Sequence, residues 1–133
     1  MTVEITFKRK RYVSEAQEVI KELKTSGFRV GEDTLTSTQI RNLLASTTPL
    51  YDAARTQRSE SYDDRISVTR INAVYQSGRN QAVKKLVISS KMLIILKIIT
   101  REKDLKKKRE YILRFCKYME ALVAYFKFYE GQD

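Results

Sequence analysis

What the chain lacks narrows its chemistry first. Its 133 residues contain no His and no Trp, one Cys, one Pro and four Gly. Without His there is no Ser-His-Asp triad, no Cys-His pair and no imidazole metal ligand. Cys116 alone closes no intramolecular disulfide and builds no thiolate cluster. Scarce Gly and Pro disfavour a turn-rich β fold and a disordered linker. No segment reads as a signal peptide or a membrane span. The most apolar stretch, residues 86–99, is interrupted by Ser89, Ser90, Lys91 and Lys97, too short and too charged to cross a bilayer. The length fits a single domain with one core, and cytoplasmic residence is the expectation.

Acidic residues are also few, 16 against 26 Lys and Arg, for a net charge of +10. The surplus is skewed. Residues 1–78 carry 12 bases and 10 acids; residues 79–127 carry 14 bases and 4 acids; residues 128–133 carry two acids and no base. Such a balance points to a polyanionic partner, nucleic acid before an acidic membrane surface. The run Lys8-Arg9-Lys10-Arg11 reads as a basic arm that touches phosphate or as a solvated terminus. Catalysis has no candidate centre. Asp63-Asp64 and Glu32-Asp33 are the only adjacent acidic pairs, and neighbours on a helix point about 100° apart. A helix-starting role explains Asp64 more simply, no glycine-rich phosphate loop is present, and Cys116 beside Phe115 reads as a buried thiol.

Apolar spacing and capping signals predict helices nearly throughout. Ser14 with Gln17 forms a capping-box pattern for a first helix, with Val19, Ile20 and Leu23 as its stripe; Gly27 and Phe28 suit its ending. Residues 29–34 read as a polar connector. Thr36 with Gln39 is the clearest start, and Leu35 can staple to Ile40. Its stripe, Ile40, Leu43, Leu44, Leu50, Tyr51 and Ala54, stays in phase across Pro49. One helix kinked at Pro49 is expected, with a break at Thr48 as the alternative. A third helix runs from Ser61 to Gly78, burying Ile66, Ile71, Val74 and Tyr75. Asn80 caps a fourth that continues to Ile99, and a fifth runs from about Lys103 to Tyr129 on Ile112, Phe115, Met119, Leu122, Val123 and Phe126. Strand-like alternation at residues 3–7 is left as extended. The expectation is an all-α, single-domain bundle of about five helices. An extended or flexible basic arm spans residues 1–13, the helical domain 14–130 and a tail 131–133.

The remaining candidates are basic side chains on helix faces. Lys84, Lys91 and Lys85 lie on the fourth helix, Arg55 and Arg58 follow the second, and Arg114, Lys117 and Lys127 lie on the last. Spacing of this kind can follow a phosphate backbone. The aromatics mostly occupy core phase, so base stacking is not assigned to them.

Three stretches carry a family resemblance. Residues 35–44, LTSTQIRNLL, are similar to an "LTxSQIRNLL" segment; residues 74–79, VYQSGR, to a "VYxxGR" segment; residues 114–127, RFCKYMEALVAYFK, to "RYxEALVAYxK". In that order and spacing, they resemble the small subunit of type III-A CRISPR effector complexes, the Csm-type small subunit, over about residues 14–130. The chain departs from the pattern at Pro49 and at the unusually basic residues 103–109. The resemblance implies a small five-helix antiviral-defence protein without catalytic activity, cofactor or metal. Several copies would stack beside a filament of backbone subunits holding the CRISPR RNA and line the channel where target RNA pairs. A large polymerase-like subunit would be a further partner. On that reading Arg41 and Arg79, inside matching segments and at polar phases, lead the RNA-binding set, with Lys84, Lys85, Arg55, Arg58 and Lys117 next. Two other readings stay open: a basic helical adaptor that binds only protein partners, and a helical DNA-binding regulator.

Overall fold

The computed structural model describes residues 3–130; positions 1–2 of the expected arm and the expected tail 131–133 lie outside the described residues. Among the described residues, seven helices follow in order: α1 (Tyr12–Lys24), α2 (Ser37–Ala45), α3 (Thr48–Arg55), α4 (Tyr62–Arg79), α5 (Gln81–Ser89), α6 (Met92–Arg101) and α7 (Leu105–Glu130). A two-stranded antiparallel ribbon, β1 (Arg29–Val30) and β2 (Asp33–Thr34), joins α1 to α2, and a short 3-10 turn (Ser59–Ser61) precedes α4. The architecture is an all-α bundle, as expected.

The long helix α7 is its axis. Ile112, Phe115, Met119, Leu122 and Phe126 recur at three- and four-residue steps and are all buried, a continuous apolar stripe. Against it pack α1, α2, α3 and α6. The core includes Ile20, Ile40, Leu43, Leu50, Leu86 and Leu96. Asp104 starts α7: its carboxylate accepts from the amides of Lys106 and Lys107 at 3.0 and 3.1 Å, satisfying donors that the first turn leaves open.

The capping signals at Thr36 and Asn80 are obeyed. Thr36 and Gln39 form a reciprocal capping box, and Leu35 and Ile40 are both buried at the staple positions. Asn80 accepts from the amides of Ala82 and Val83 at the start of α5. At the end of α1, Gly27 has φ +64° and the Phe28 amide donates to the Leu23 carbonyl at 3.1 Å. The expected connector 29–34 is instead a hairpin, whose turn uses Gly31 at φ +60°, a conformation that glycine adopts freely.

Four expectations are corrected. First, the helix expected to kink at Pro49 is two helices, α2 and α3. Pro49 has no amide to offer the Ala45 carbonyl. The chain tightens instead: the Thr47 amide donates to Leu44 at 2.9 Å, and the Ser46 carbonyl accepts from Thr69 Oγ1 of α4 at 3.0 Å. Pro49 then sits in the first turn of α3, where a missing amide costs nothing.

Second, the helix expected to run from Asn80 to Ile99 breaks at Ser90-Lys91. Lys91 takes a left-handed φ of +61°, and the buried Ser90 carbonyl accepts from Tyr118 Oη at 2.9 Å. Third, the buried side of α4 is Tyr62, Ile66, Thr69 and Ala73, whereas Ile71, Val74 and Tyr75 face outward. That helix also begins without a Ser61 side-chain cap, and it runs through Gly78 to Arg79.

Fourth, α1 begins at Tyr12, and Ser14 donates to the Arg11 carbonyl instead of capping. The segment before α1 is tied down: the buried Glu15 carboxylate accepts from the amides of Thr6 and Phe7 and from the Thr6 hydroxyl. Arg114 holds the same segment from α7. It donates to the Phe7 carbonyl at 3.1 Å and lies 5.5 Å from the ring centres of both Phe7 and Tyr111.

Candidate nucleic-acid interface

The basic side chains divide by helix phase. Arg41 is exposed on α2, one residue past the buried Ile40. Arg79 is exposed at the end of α4, its guanidinium 5.7 Å from the centre of the Tyr75 ring. Such a contact uses the ring face and none of the guanidinium's hydrogen-bond donors. Lys84 is exposed on α5 and borders, with Ser77 and Gly78, a groove between α4 and α5. The fold therefore brings Lys84 to the end of α4 that carries Arg79.

The other candidates fall elsewhere. Lys85 is half-buried and lines a small cleft with Leu23 and Phe28, on a different side of α5 from Lys84. Arg55 is exposed on α3, 4.0 Å from Asp52. Arg58, just beyond α3, is exposed and donates from Nε to the Thr56 hydroxyl at 3.0 Å. Lys117 is exposed on α7 and lies 3.4 Å from Glu120. Both border a cavity of about 290 Å3 under Tyr51 that also reaches Cys116. Burial pushes the Cys116 thiol up to about 12, with a hydrogen bond to Thr47 opposing the shift, so the thiol is not a nucleophile at neutral pH. Among the described residues, no group of three or more acidic or thiol side chains is gathered that could hold a metal ion.

Several cations serve the fold. Arg114 is taken by Phe7 and Tyr111. Lys91 sits at the α5–α6 break, so Lys84, Lys85 and Lys91 do not share one helical face. In the densest basic run, Lys108 is buried, with Nζ 2.7 Å from Asp63 Oδ1 and 3.2 Å from the Thr100 carbonyl. Arg109 donates from Nε to the Ala54 carbonyl at 2.7 Å, at the end of α3.

One signal was readable but was missed by dividing the chain at Arg79. From Arg65 through Arg101 there is no acidic residue and there are eight basic ones. This span makes up most of α4 and all of α5 and α6. Its outward apolar side chains, among them Val68, Ile71, Val74, Ile88 and Ile98, are more than half exposed. The span is thus basic and aliphatic together.

A family model for Csm2 type III-A matches residues 11–132. The chain belongs to the Csm2 type III-A family. A Streptococcus thermophilus protein named "CRISPR system Cms protein Csm2" is 42% identical over 122 residues, 92% of this chain and 93% of that protein. A Mycobacterium tuberculosis protein of the same name is 39% identical over 128 residues, 92% and 94% of the two chains. One from Enterococcus italicus is 32% identical over 103 residues, 74% and 71%. The Csm2 match spans all three segments that carried the resemblance, and with it Arg41, Arg79 and Lys117. Among the described residues no helix is long and apolar enough to cross a membrane.

Proposed function

We propose that this chain is a non-catalytic, RNA-binding structural subunit of a type III-A CRISPR interference complex in the cytoplasm. Several copies stack along the filament that holds the guide RNA, and each contacts the backbone of target RNA in the channel. Its partners are the CRISPR RNA and target RNA, the backbone and large polymerase-like subunits, and neighbouring copies of itself. Membership of the Csm2 family supports the assembly. The observation that carries the RNA contact is the basic span of α4–α6, residues 65–101, which contains no acidic residue and places Arg79 and Lys84 at one end of α4.

Arg41 and Arg79 are the leading phosphate contacts, followed by Lys84, Lys85, Arg55, Arg58 and Lys117. Base pairing supplies sequence choice in a guide-dependent complex, so this subunit needs shape and phosphate contacts alone. An arginine on phosphate makes a charge-assisted hydrogen bond. Replacing Arg41 or Arg79 by Ala should weaken target RNA binding of the assembled complex about tenfold each. Binding is measured at physiological salt, with helicity checked by circular dichroism. Unchanged affinity with unchanged helicity in both variants rejects the RNA-contact role.

A further inference from the structure

Where α2 gives way to α3, the bundle holds a cavity of about 290 Å3 against α7. Leu44 borders it from α2, Thr48 and Tyr51 from α3, and Cys116, Lys117 and Glu120 from α7. Leu44 and Tyr51 are half-buried and Cys116 is buried, so the walls are largely apolar. Thr48, Lys117 and Glu120 are exposed and give it a polar rim. Tyr51 belongs to the apolar stripe of α2 and α3, yet part of its surface is left open at this cavity. The volume is just below the roughly 300–1,000 Å3 of small-molecule pockets. That suits one ring system and no larger body.

The charges at the rim select the occupant. Lys117 Nζ lies 3.4 Å from Glu120 Oε2. Arg55, one turn past Tyr51, lies 4.0 Å from Asp52. A phosphate drawn into the cavity would face Glu120, and a cation would face Lys117. The fitting occupant is neutral, flat and edged with donors and acceptors, which is the chemistry of a nucleobase. The Thr48 hydroxyl can donate or accept, and Glu120 can accept from an exocyclic amino group. The cations stay with phosphate outside the cavity. Lys117 has three donors, so its contact with Glu120 leaves others free. Arg41, one turn before Leu44 on α2, is exposed and makes no ion pair or hydrogen bond among the described residues. It is placed for the phosphate that adjoins such a base. A paired base has its edge against its partner and its faces in the stack, so the base that enters is unpaired.

We propose that this cavity receives one unpaired base of the target RNA, stacked on Tyr51 and held at its edge by Thr48 and Glu120, with Arg41 on its phosphate. This rests on the reading that the subunit contacts target RNA, and the cavity and the cations around it then take the same strand. It gives the subunit a place for a nucleotide that fails to match the guide.

The test is photo-cross-linking in the assembled complex. The target RNA carries one extra 5-iodouridine with no guide base opposite it, moved one position at a time along the paired region. Irradiation joins such a base to an aromatic ring on which it stacks, and mass spectrometry of the peptides locates the adduct. The expected result is an adduct on Tyr51 for at least one position, retained on the ring in Tyr51→Phe and lost in Tyr51→Leu. Tyr51→Leu should also bind that target about tenfold more weakly, relative to the fully paired one. Helicity is checked by circular dichroism, and Tyr51→Phe keeps the test open if Tyr51→Leu does not fold. If every bulged target binds and none gives an adduct on Tyr51, while Arg79→Ala still weakens binding, this site is overturned and the phosphate contacts stand. If there is no adduct and binding is also insensitive to Arg41→Ala and Arg79→Ala, both readings are overturned.

Discussion

Lys108 and Arg79 carry the same charge, yet one is built into the fold and the other stands outside it. Lys108 belongs to the densest basic run of the chain, Lys106 to Arg109. It lies four residues before Ile112, on the buried stripe of α7, and reaches Asp63 and the Thr100 carbonyl. Its neighbour Arg109 closes the end of α3 through the Ala54 carbonyl. Arg79 and Arg41 are isolated in sequence but fall at outward phases of α4 and α2. Density of charge along a sequence therefore does not measure charge available to a partner. Helix phase does, because it decides which head groups face carbonyls and carboxylates of the same chain.

That contrast is broken most strongly at Lys108. Lys108→Glu would place a second carboxylate against Asp63 and leave the Thr100 carbonyl without its donor. Only the Lys108 side of this pair is buried, so the charge left uncompensated is the new carboxylate at position 108, and a buried uncompensated charge costs about 3–5 kcal/mol. Asp63 is 68% exposed here and can rehydrate, so the lower end, about 3 kcal/mol, is expected. Urea unfolding followed by circular dichroism measures it. A loss below about 1 kcal/mol, the level of a surface pair, would place Lys108 with the solvated cations. Arg109→Ala should cost less, about 1–2 kcal/mol, because one charge-assisted hydrogen bond to a helix-end carbonyl is removed. Arg109→Lys should recover only part of it, since a lysine lacks the directed Nε donor. Full recovery in the same unfolding measurement would reduce the role of Arg109 to charge alone.

The same distinction explains what was legible in the sequence. The Thr36–Gln39 capping box and the Asn80 cap were readable because both partners are local. The equally local Ser14–Gln17 pattern is overridden because α1 already begins at Tyr12 and Ser14 donates to the Arg11 carbonyl. The α7 stripe was readable too, since it repeats from Ile112 to Phe126 over about four turns. The breaks at Pro49 and Ser90 were not. Each depends on a donor from a distant helix, Thr69 to the Ser46 carbonyl and Tyr118 to the Ser90 carbonyl. Pattern alone allowed a continuous helix in both places. The misassigned face of α4 has another cause. Two stripes compete there: Tyr62, Ile66, Thr69 and Ala73 against Val68, Ile71 and Tyr75. The second is more apolar, and only packing against α2 and α3 shows that the first is inside. Of the candidate cations, Arg41, Arg79, Lys84, Arg55, Arg58 and Lys117 are outward. The internal use of Arg114 was hidden because Phe7, its carbonyl partner, lies 107 residues away.

The smallest stability effect is expected at Lys117, and it sharpens the contrast from the outward side. Lys117 pairs with Glu120 one turn away, with both side chains more than half exposed. Such a pair contributes about 0.3–0.5 kcal/mol, and alanine favours the helix slightly more than lysine does. Lys117→Ala should therefore leave stability within about 0.5 kcal/mol of the parent. Its effect belongs in RNA binding. Each phosphate neutralised on a single strand contributes roughly 0.7 to the slope of log affinity against log salt. The complex carrying Lys117→Ala in every copy should lose at least that much slope, whereas a folded Arg109→Ala complex should keep the parent slope. If both variants keep it, Lys117 faces Glu120 and solvent alone. If both lose it, the division between inward and outward cations fails at Arg109, whose outer nitrogens would then reach phosphate while Nε holds Ala54.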